Sequence, residues 1–221
     1  MPDRNPELKA RRTPRQQRAI ETYELILNVT AGLLAEVGIE RISTNLIAAA
    51  ASIKPPTLYR YFPNKYAVLV ALSDRLMNRQ NVIVESWLTR LAGQTDALIS
   101  LEDMKFLIGN TVEATRKEPG AFEIMLAMRA VPRLREVRLA SHRYVADLLT
   151  QHFSPLLQAH SEAAIWARIR LSIELSYAAT EMALEETMVP AEVIIHETAR
   201  QISDYWIRWL ETPITNKPSD N

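Results

Sequence analysis

Residues 38–69 read GIERISTNLIAAAASIKPPTLYRYFPNKYAVL, and their reading decides the fold. Ser43 or Thr44 opens a short helix that runs through Ala51. Ile47, Ala48 and Ala51 give this helix a small-residue inner face, which a second helix can cross closely, as a helix-turn-helix requires. Pro55 and Pro56 stand where a first helical turn tolerates proline, so a second short helix runs to about Phe62 and Pro63 breaks it. Ile53 lies in the turn and plugs the space between the two. In this reading Leu58 and Phe62 point inward, while Pro55, Thr57, Arg60 and the tyrosines Tyr59 and Tyr61 point out. Exposed Tyr, Thr, Arg and Lys in one patch are groups that meet phosphates and base edges. The same residues also fit an ordinary helical hairpin with tyrosines packed on it.

Outward from this stretch the periodicity stays helical. Ile20, Tyr23, Leu27, Thr30, Leu34 and Val37 recur at spacings of three and four, widened by Ile26, Val29 and Leu33. That first helix is expected to start near Thr13, with Pro14 at its first position, and to stop at Gly38. Asn64 can cap a long helix through roughly Leu91, and residues 93–102 read as a loop. Further helices are expected over about 103–118, 121–128, 133–153, 162–188 and 191–210. The fold class is therefore all-α, with about nine helices and no alternating strand pattern. The domains expected are a basic arm over 1–13, a helix-turn-helix domain over 14–70, a larger helical domain over 71–211 and a disordered tail over 212–221.

Composition narrows the function. The 221 residues include no Cys and only 5 Gly. That removes disulfides, thiolate metal sites and glycine-rich phosphate loops. His142, His152, His160 and His196 have no metal-binding spacing, and no GxSxG elbow exists, so neither an enzyme nor a cofactor is expected. The opening MPDRNPELKARR is too polar for a secretory signal. The longest apolar run, Leu46–Ile53 with Ser52 allowed, falls well short of the roughly twenty residues of a membrane span. A cytoplasmic protein with no membrane partner is the expectation. The formal net charge of +0 hides an asymmetry: residues 1–65 hold 10 Lys and Arg against 6 Asp and Glu, and the rest hold 16 against 20. A basic N-terminal part on an acidic remainder points to an anionic partner for that part alone.

The stretch resembles the tetracycline-repressor (TetR) family of one-component transcription regulators. Gly38, Ser43, Ile47, Ala48, Ala51, Ile53, Thr57, Leu58, Tyr59, Tyr61, Phe62 and Lys65 stand at the places of that family's motif. The motif covers about residues 14–70, and the helix layout extends the likeness more loosely. Three positions depart: Ser52 replaces the turn glycine, Lys54 the serine that would cap the second helix, and Pro56 a glycine. The resemblance implies a dimeric repressor that binds a near-palindromic double-stranded DNA operator and is released by a small-molecule effector. It implies that Thr44 and Lys65 hold phosphates, with Tyr59 and Tyr61 donating to the backbone or packing on thymine methyls. Pro55, Pro56 and Thr57 would lie at the mouth of the major groove, with Lys54 among the DNA-binding residues. Arg60 would fork onto guanine and Asn45 pair with adenine, with Arg11, Arg12 and Arg15 reaching an adjacent groove. The alternative is an all-helical small-molecule-binding or protein-interaction protein with a vestigial helix-turn-helix.

Past residue 70 the resemblance implies effector binding and dimerisation. Trp87, Phe106, Phe122, Met125, Met128, Tyr144 and Tyr177 are the candidate pocket walls, each equally readable as plain core. The penultimate helix carries two apolar stripes, Leu171–Leu175–Ala178–Met182 and Ile165–Ile169–Ser172–Ser176–Ala179–Ala183, about 120° apart. A helix packed on two sides is wholly internal or shared with a partner. The last helix repeats Ile195, Ala199, Ile202, Trp206 and Trp209 at 4-3-4-3 spacing, a helix-pairing seam. The expected homodimer interface takes that seam together with Ile165, Ile169, Ser172 and Ser176.

Overall fold

The computed structural model describes residues 16–91 and 100–211. The arm with Arg11, Arg12 and Arg15, the expected Thr13 cap, and the tail lie outside the described residues. The described residues form nine α-helices and no strand: α1 (Gln17–Arg41), α2 (Thr44–Ala50), α3 (Pro55–Tyr61), α4 (Lys65–Leu91), α5 (Leu101–Arg116), α6 (Ala121–Ala130), α7 (Pro132–Phe153), α8 (Glu162–Glu185) and α9 (Ala191–Glu211). A short 3-10 turn, Ser154–Leu156, follows α7.

Local chemistry sets most boundaries. The first helix begins after Gln16, whose side chain makes no cap bond, and it kinks at Gly38, where φ is +71°. Only glycine adopts that angle without steric cost. Ser43 caps α2 by accepting from the Leu46 amide at 3.2 Å, and Asn64 caps α4 by accepting from Ala67 N at 3.0 Å. Ser100 and Asp103 cap α5 reciprocally: the Ser100 hydroxyl accepts from Asp103 N at 3.1 Å, and the Asp103 carboxylate accepts from Ser100 N at 3.3 Å.

By internal contacts the chain divides into two compact units rather than at a single cut after residue 70. One takes residues 1–80 and 114–141, the other 81–113 and 142–221. Helices α1, α2, α3 and α6 belong to the first unit; α8 and α9 belong to the second.

In the first unit α1 is the central strut. Ile26, Leu27, Ala31 and Leu34 are buried along it. By length and hydropathy α1 resembles a membrane span, but that apolar face is packed inside the unit. Helix α6 abuts it through Gly120, whose φ is +62°, and a Cβ there would lie 2.3 Å from the Ala31 carbonyl oxygen. Beside this contact the buried Glu118 carboxylate receives both Arg75 and Arg79 of α4. Arg75 also donates to Glu24 at 3.0 Å and to Asn28 at 2.8 Å, both on α1. Such a network is strongly destabilised when one partner is removed, because the remaining charges stay buried.

The second unit has one apolar core. Trp87, Leu91, Met104, Ile108, Val112, Ala146 and Phe153 meet Ile165, Ile169, Ala199, Ile202 and Trp206 there. Trp87 and Phe153 lie 6.3 Å apart between ring centroids, and Phe153 and Trp206 lie 6.4 Å apart.

Gly120→Ala adds a methyl where backbone already stands and demands a left-handed angle of an L side chain. It is expected to cost about 2–4 kcal/mol, lowering the unfolding temperature by roughly 5–15 °C. A melting curve unchanged in calorimetry contradicts this contact.

Candidate nucleic-acid interface

Helices α2 and α3 cross over an inner face of Ile47, Ala48 and Ala51, all nearly inaccessible. The small side chains allow the crossing, and the turn between the helices closes on backbone bonds. Ser52 N donates to Ala49 O, and Ile53 N to Ala48 O, each at 3.0 Å. Ser52 takes the left-handed angle, φ +53°, so the position where the family pattern has glycine keeps glycine's geometry with a side chain attached. Ile53 is half-buried, as a plug at the turn must be.

Helix α3 starts on Pro55 and Pro56 after Lys54, whose side chain makes no cap bond. Its inner face is Leu58, Tyr61 and Phe62. The ring of Phe62 stacks on Tyr23 of α1 at 5.0 Å, and Tyr61 meets Tyr23 edge-on at 6.4 Å. Burial pushes the Tyr23 phenol up, with the charges of Glu24 and Asp74 adding to it. This α1–α3 aromatic contact fixes which side of α3 looks outward.

The outer surface presents Asn45, Lys54, Pro55, Pro56, Tyr59 and Arg60, all exposed, with Thr44 and Thr57 half-buried. The Thr44 and Tyr59 hydroxyls share a hydrogen bond of 3.0 Å, pinning α2 to α3 and placing two hydroxyls side by side. Among the described residues no acid pairs with Lys54 or Arg60. The surface therefore offers unneutralised cations and hydroxyl groups, the donors that phosphate and base edges accept from.

Two residues read as outward from the sequence are placed otherwise. Tyr61 is 3% exposed, and its hydroxyl accepts from Arg60 at 3.4 Å. It is a core ring that also steadies Arg60, whose guanidinium lies 5.2 Å from the ring centre. Lys65 donates to the Ile42 carbonyl at 3.0 Å, so this ammonium ties the start of α4 to the residue that follows α1. Its part in any phosphate contact is shared with that structural bond.

The expected pocket walls fall in both units. Met125 and Met128 are fully buried and Phe122 half-buried in the first unit. In the second unit Trp87 is buried and donates to Asp103 at 3.3 Å, and Tyr177 is buried with its ring edge-on to His142 at 4.9 Å. Phe106 is exposed beneath the Arg90 guanidinium at 3.8 Å. Tyr144 is also exposed and donates to Glu85 at 2.7 Å. Glu174 pairs with Arg170 at 2.9 Å.

The expected dimer seam is corrected too. Ile165, Ile169, Ala199, Ile202 and Trp206 are buried in the chain's own core, with Ile195 and Trp209 packed against it. The Trp206 indole donates to Ser172 at 3.1 Å, and the Ser172 and Ser176 hydroxyls donate back to the carbonyls of Arg168 and Ser172. The 4-3-4-3 seam joins α9 to α8 of the same chain. The stripe left outside is the other one: Leu171, Leu175 and Met182 are 60%, 40% and 46% exposed, with Ala178 exposed among them. At the end of that stripe a pocket of about 550 Å³ is lined by Arg168, Gln201, Asp204, Tyr205, Arg208 and Trp209.

A pair of short helices crossed over small residues, braced on a third helix and faced with free cations and hydroxyls, is a helix-turn-helix DNA-binding module. Residues 26–72 match the family model described as bacterial regulatory proteins, tetR family. The match covers the helix-turn-helix and its flanking helices and leaves the rest of the chain outside it. It is 27% identical over 139 residues to the nucleoid occlusion factor SlmA of Haemophilus ducreyi, covering 62% of this chain and 65% of that one. It is 37% identical over 79 residues to the HTH-type transcriptional regulator EthR of Mycobacterium tuberculosis, covering 35% and 36%. The chain thus spans less than two thirds of the curated relatives it matches. Its fold matches that of the fatty acid degradation regulator FadR from Bacillus halodurans, with a TM-score of 0.64 at 16% identity over 86% of this chain and 97% of that one.

Ser52→Gly removes a side chain from a left-handed position and leaves the turn's hydrogen bonds intact. The relief of about 1 kcal/mol is partly offset by a freer unfolded chain. The unfolding temperature is expected to rise by about 1–3 °C. A fall on thermal denaturation contradicts the strain at Ser52.

Proposed function

We propose that this protein is a dimeric DNA-binding transcriptional regulator that binds a near-palindromic operator and is released by a small-molecule effector. The observation that carries the DNA-binding part is the outer face of α2 and α3, where Lys54 and Arg60 stand exposed without acidic partners beside the paired Thr44 and Tyr59 hydroxyls. Arg60 and Asn45 are the base readers in this reading; Thr44, Lys54 and Tyr59 hold phosphates; Pro55, Pro56 and Thr57 lie at the groove mouth. Repression and effector release rest on the family. The effector site belongs to the helices beyond residue 70, and its chemistry is left open by side chains that serve the core.

The match to a nucleoid occlusion factor, over 139 residues, extends beyond the helix-turn-helix and favours a second reading: a DNA-bound factor acting in nucleoid occlusion. Deleting the gene separates the two. The first reading expects altered transcript levels with normal division. The second expects septa over nucleoids with transcripts unchanged.

DNA binding is tested by titrating mixed-sequence duplex at several salt concentrations. Affinity is expected to fall steeply with salt, and Lys54→Ala is expected to flatten the slope by about one unit. Salt-independent binding, or none, contradicts the assignment.

Dimerisation is supported by the exposed α8 stripe, since water-facing Leu171, Leu175 and Met182 on one helix form a contiguous apolar surface of the kind partners cover. Leu175→Asp places a charge at its middle. Sedimentation is expected to show a dimer for the parent and a folded monomer for the variant. A variant that remains dimeric sinks the stripe as the interface.

A further inference from the structure

Charge in this chain follows the fold more closely than the order of the sequence. The unit that carries α2 and α3, residues 1–80 and 114–141, holds 18 Lys and Arg against 10 Asp and Glu; the other unit holds 8 against 16. Residues 114–141 are themselves basic, with 6 against 3, although they lie in the acidic remainder of the chain. An anionic partner of the first unit therefore meets positive charge beyond the helix-turn-helix.

One cation of that segment is set against the helix-turn-helix. Arg133, in the first turn of α7, places its guanidinium 4.9 Å from the centre of the Tyr66 ring. Lys65 sets its ammonium 5.6 Å from the centre of the same ring. Lys65 is also bound to the carbonyl of Ile42, the residue before the Ser43 cap of α2. A line of contacts thus leads from the start of α2, through Lys65 and Tyr66, to Arg133. Arg133 and Tyr66 are both half-buried, so neither is closed off from solvent.

No acid answers these charges. Among the described residues none pairs with Arg133 or with Lys65. Two cations against one ring repel each other, and the negative face of the ring offsets only part of this. Arg133 also works against the dipole of α7, whose first turn favours acids and holds none. One anion placed beside the pair relieves both costs. A flat guanidinium resting on an aromatic ring is already oriented for the two-pronged contact with phosphate oxygens.

We propose that Arg133 is a phosphate contact of the DNA-binding surface, supplied by α7 from outside the helix-turn-helix, with Tyr66 as the positioning residue that holds it beside Lys65. The proposal rests on the DNA-binding reading above and extends its footprint: each copy grips one more phosphate than α2 and α3 supply. Duplex DNA is the anion that fits, because the cation continues the face that already carries Thr44, Lys54 and Tyr59.

Titration of the full chain with mixed-sequence duplex at several salt concentrations tests the contact. Arg133→Gln is expected to flatten the salt slope by about one unit and to weaken binding about fivefold to tenfold at roughly 0.1 M salt. Arg133→Lys keeps the charge and is expected to keep the slope. Arg135→Gln removes an equal charge two positions on, about 200° around α7, and is expected to leave the slope unchanged. Tyr66→Leu is expected to weaken binding by the parent about twofold to fivefold, and to weaken the Arg133→Gln chain not at all, while Tyr66→Phe binds like the parent. Equal weakening of both chains by Tyr66→Leu overturns the positioning role. A slope unchanged in Arg133→Gln, or flattened as much by Arg135→Gln, overturns the phosphate contact. The DNA-binding reading then still stands if Lys54→Ala flattens the slope. A parent with no salt-dependent binding overturns both.

Discussion

The packing of α3 on α1 through Phe62, Tyr61 and Tyr23 is the contact on which the rest depends. A seven-residue helix cannot hold its own shape in water, because nucleation outweighs the few bonds it closes. It exists here because Leu58, Tyr61 and Phe62 are buried along one side. The same burial fixes what faces out. With three inner positions spoken for, Tyr59 and Arg60 have only the solvent side, and Lys54 to Pro56 sit at the exposed start. The candidate DNA surface is the complement of a core contact.

The strut that carries this contact is tied in turn to α6. Gly120 admits the Ala31 carbonyl of α1, and Glu118 gathers Arg75 and Arg79 of α4 beside it. Together these explain why residues 114–141 group with the DNA-binding helices although they lie far along the chain. The α5–α6 turn is thus in direct contact with α1.

Much of this was legible in the sequence, for identifiable reasons. Helix existence follows from spacing, and Ser43 and Asn64 mark their boundaries through cap chemistry, while Gly38, expected to end α1, only kinks it before Arg41. The Ser100–Asp103 cap begins α5 inside the stretch that reads as a loop. Tyr61 lies inward and not outward, because it stands three residues after Leu58 and one before Phe62, on the side of the helix that α1 covers. The bond from Lys65 to the Ile42 carbonyl joins residues 23 apart in sequence, and no local pattern encodes it. On α8 both stripes were visible, but nothing local says which one α9 covers. That is settled by α9 packing its tryptophans on the Ser172 side. The aromatic and methionine residues beyond residue 70 could not be sorted into core and pocket, since both environments select the same side chains.

The central claim is that two copies of this chain read DNA with two-fold symmetry through α3. Selection of bound sequences from random duplex DNA tests it most directly. The account predicts one enriched near-palindrome with half-sites about 10 base pairs apart, or a multiple of that, and with one position per half-site losing its preference in Arg60→Ala. No enrichment, or a single unpaired half-site indifferent to Arg60, would contradict it.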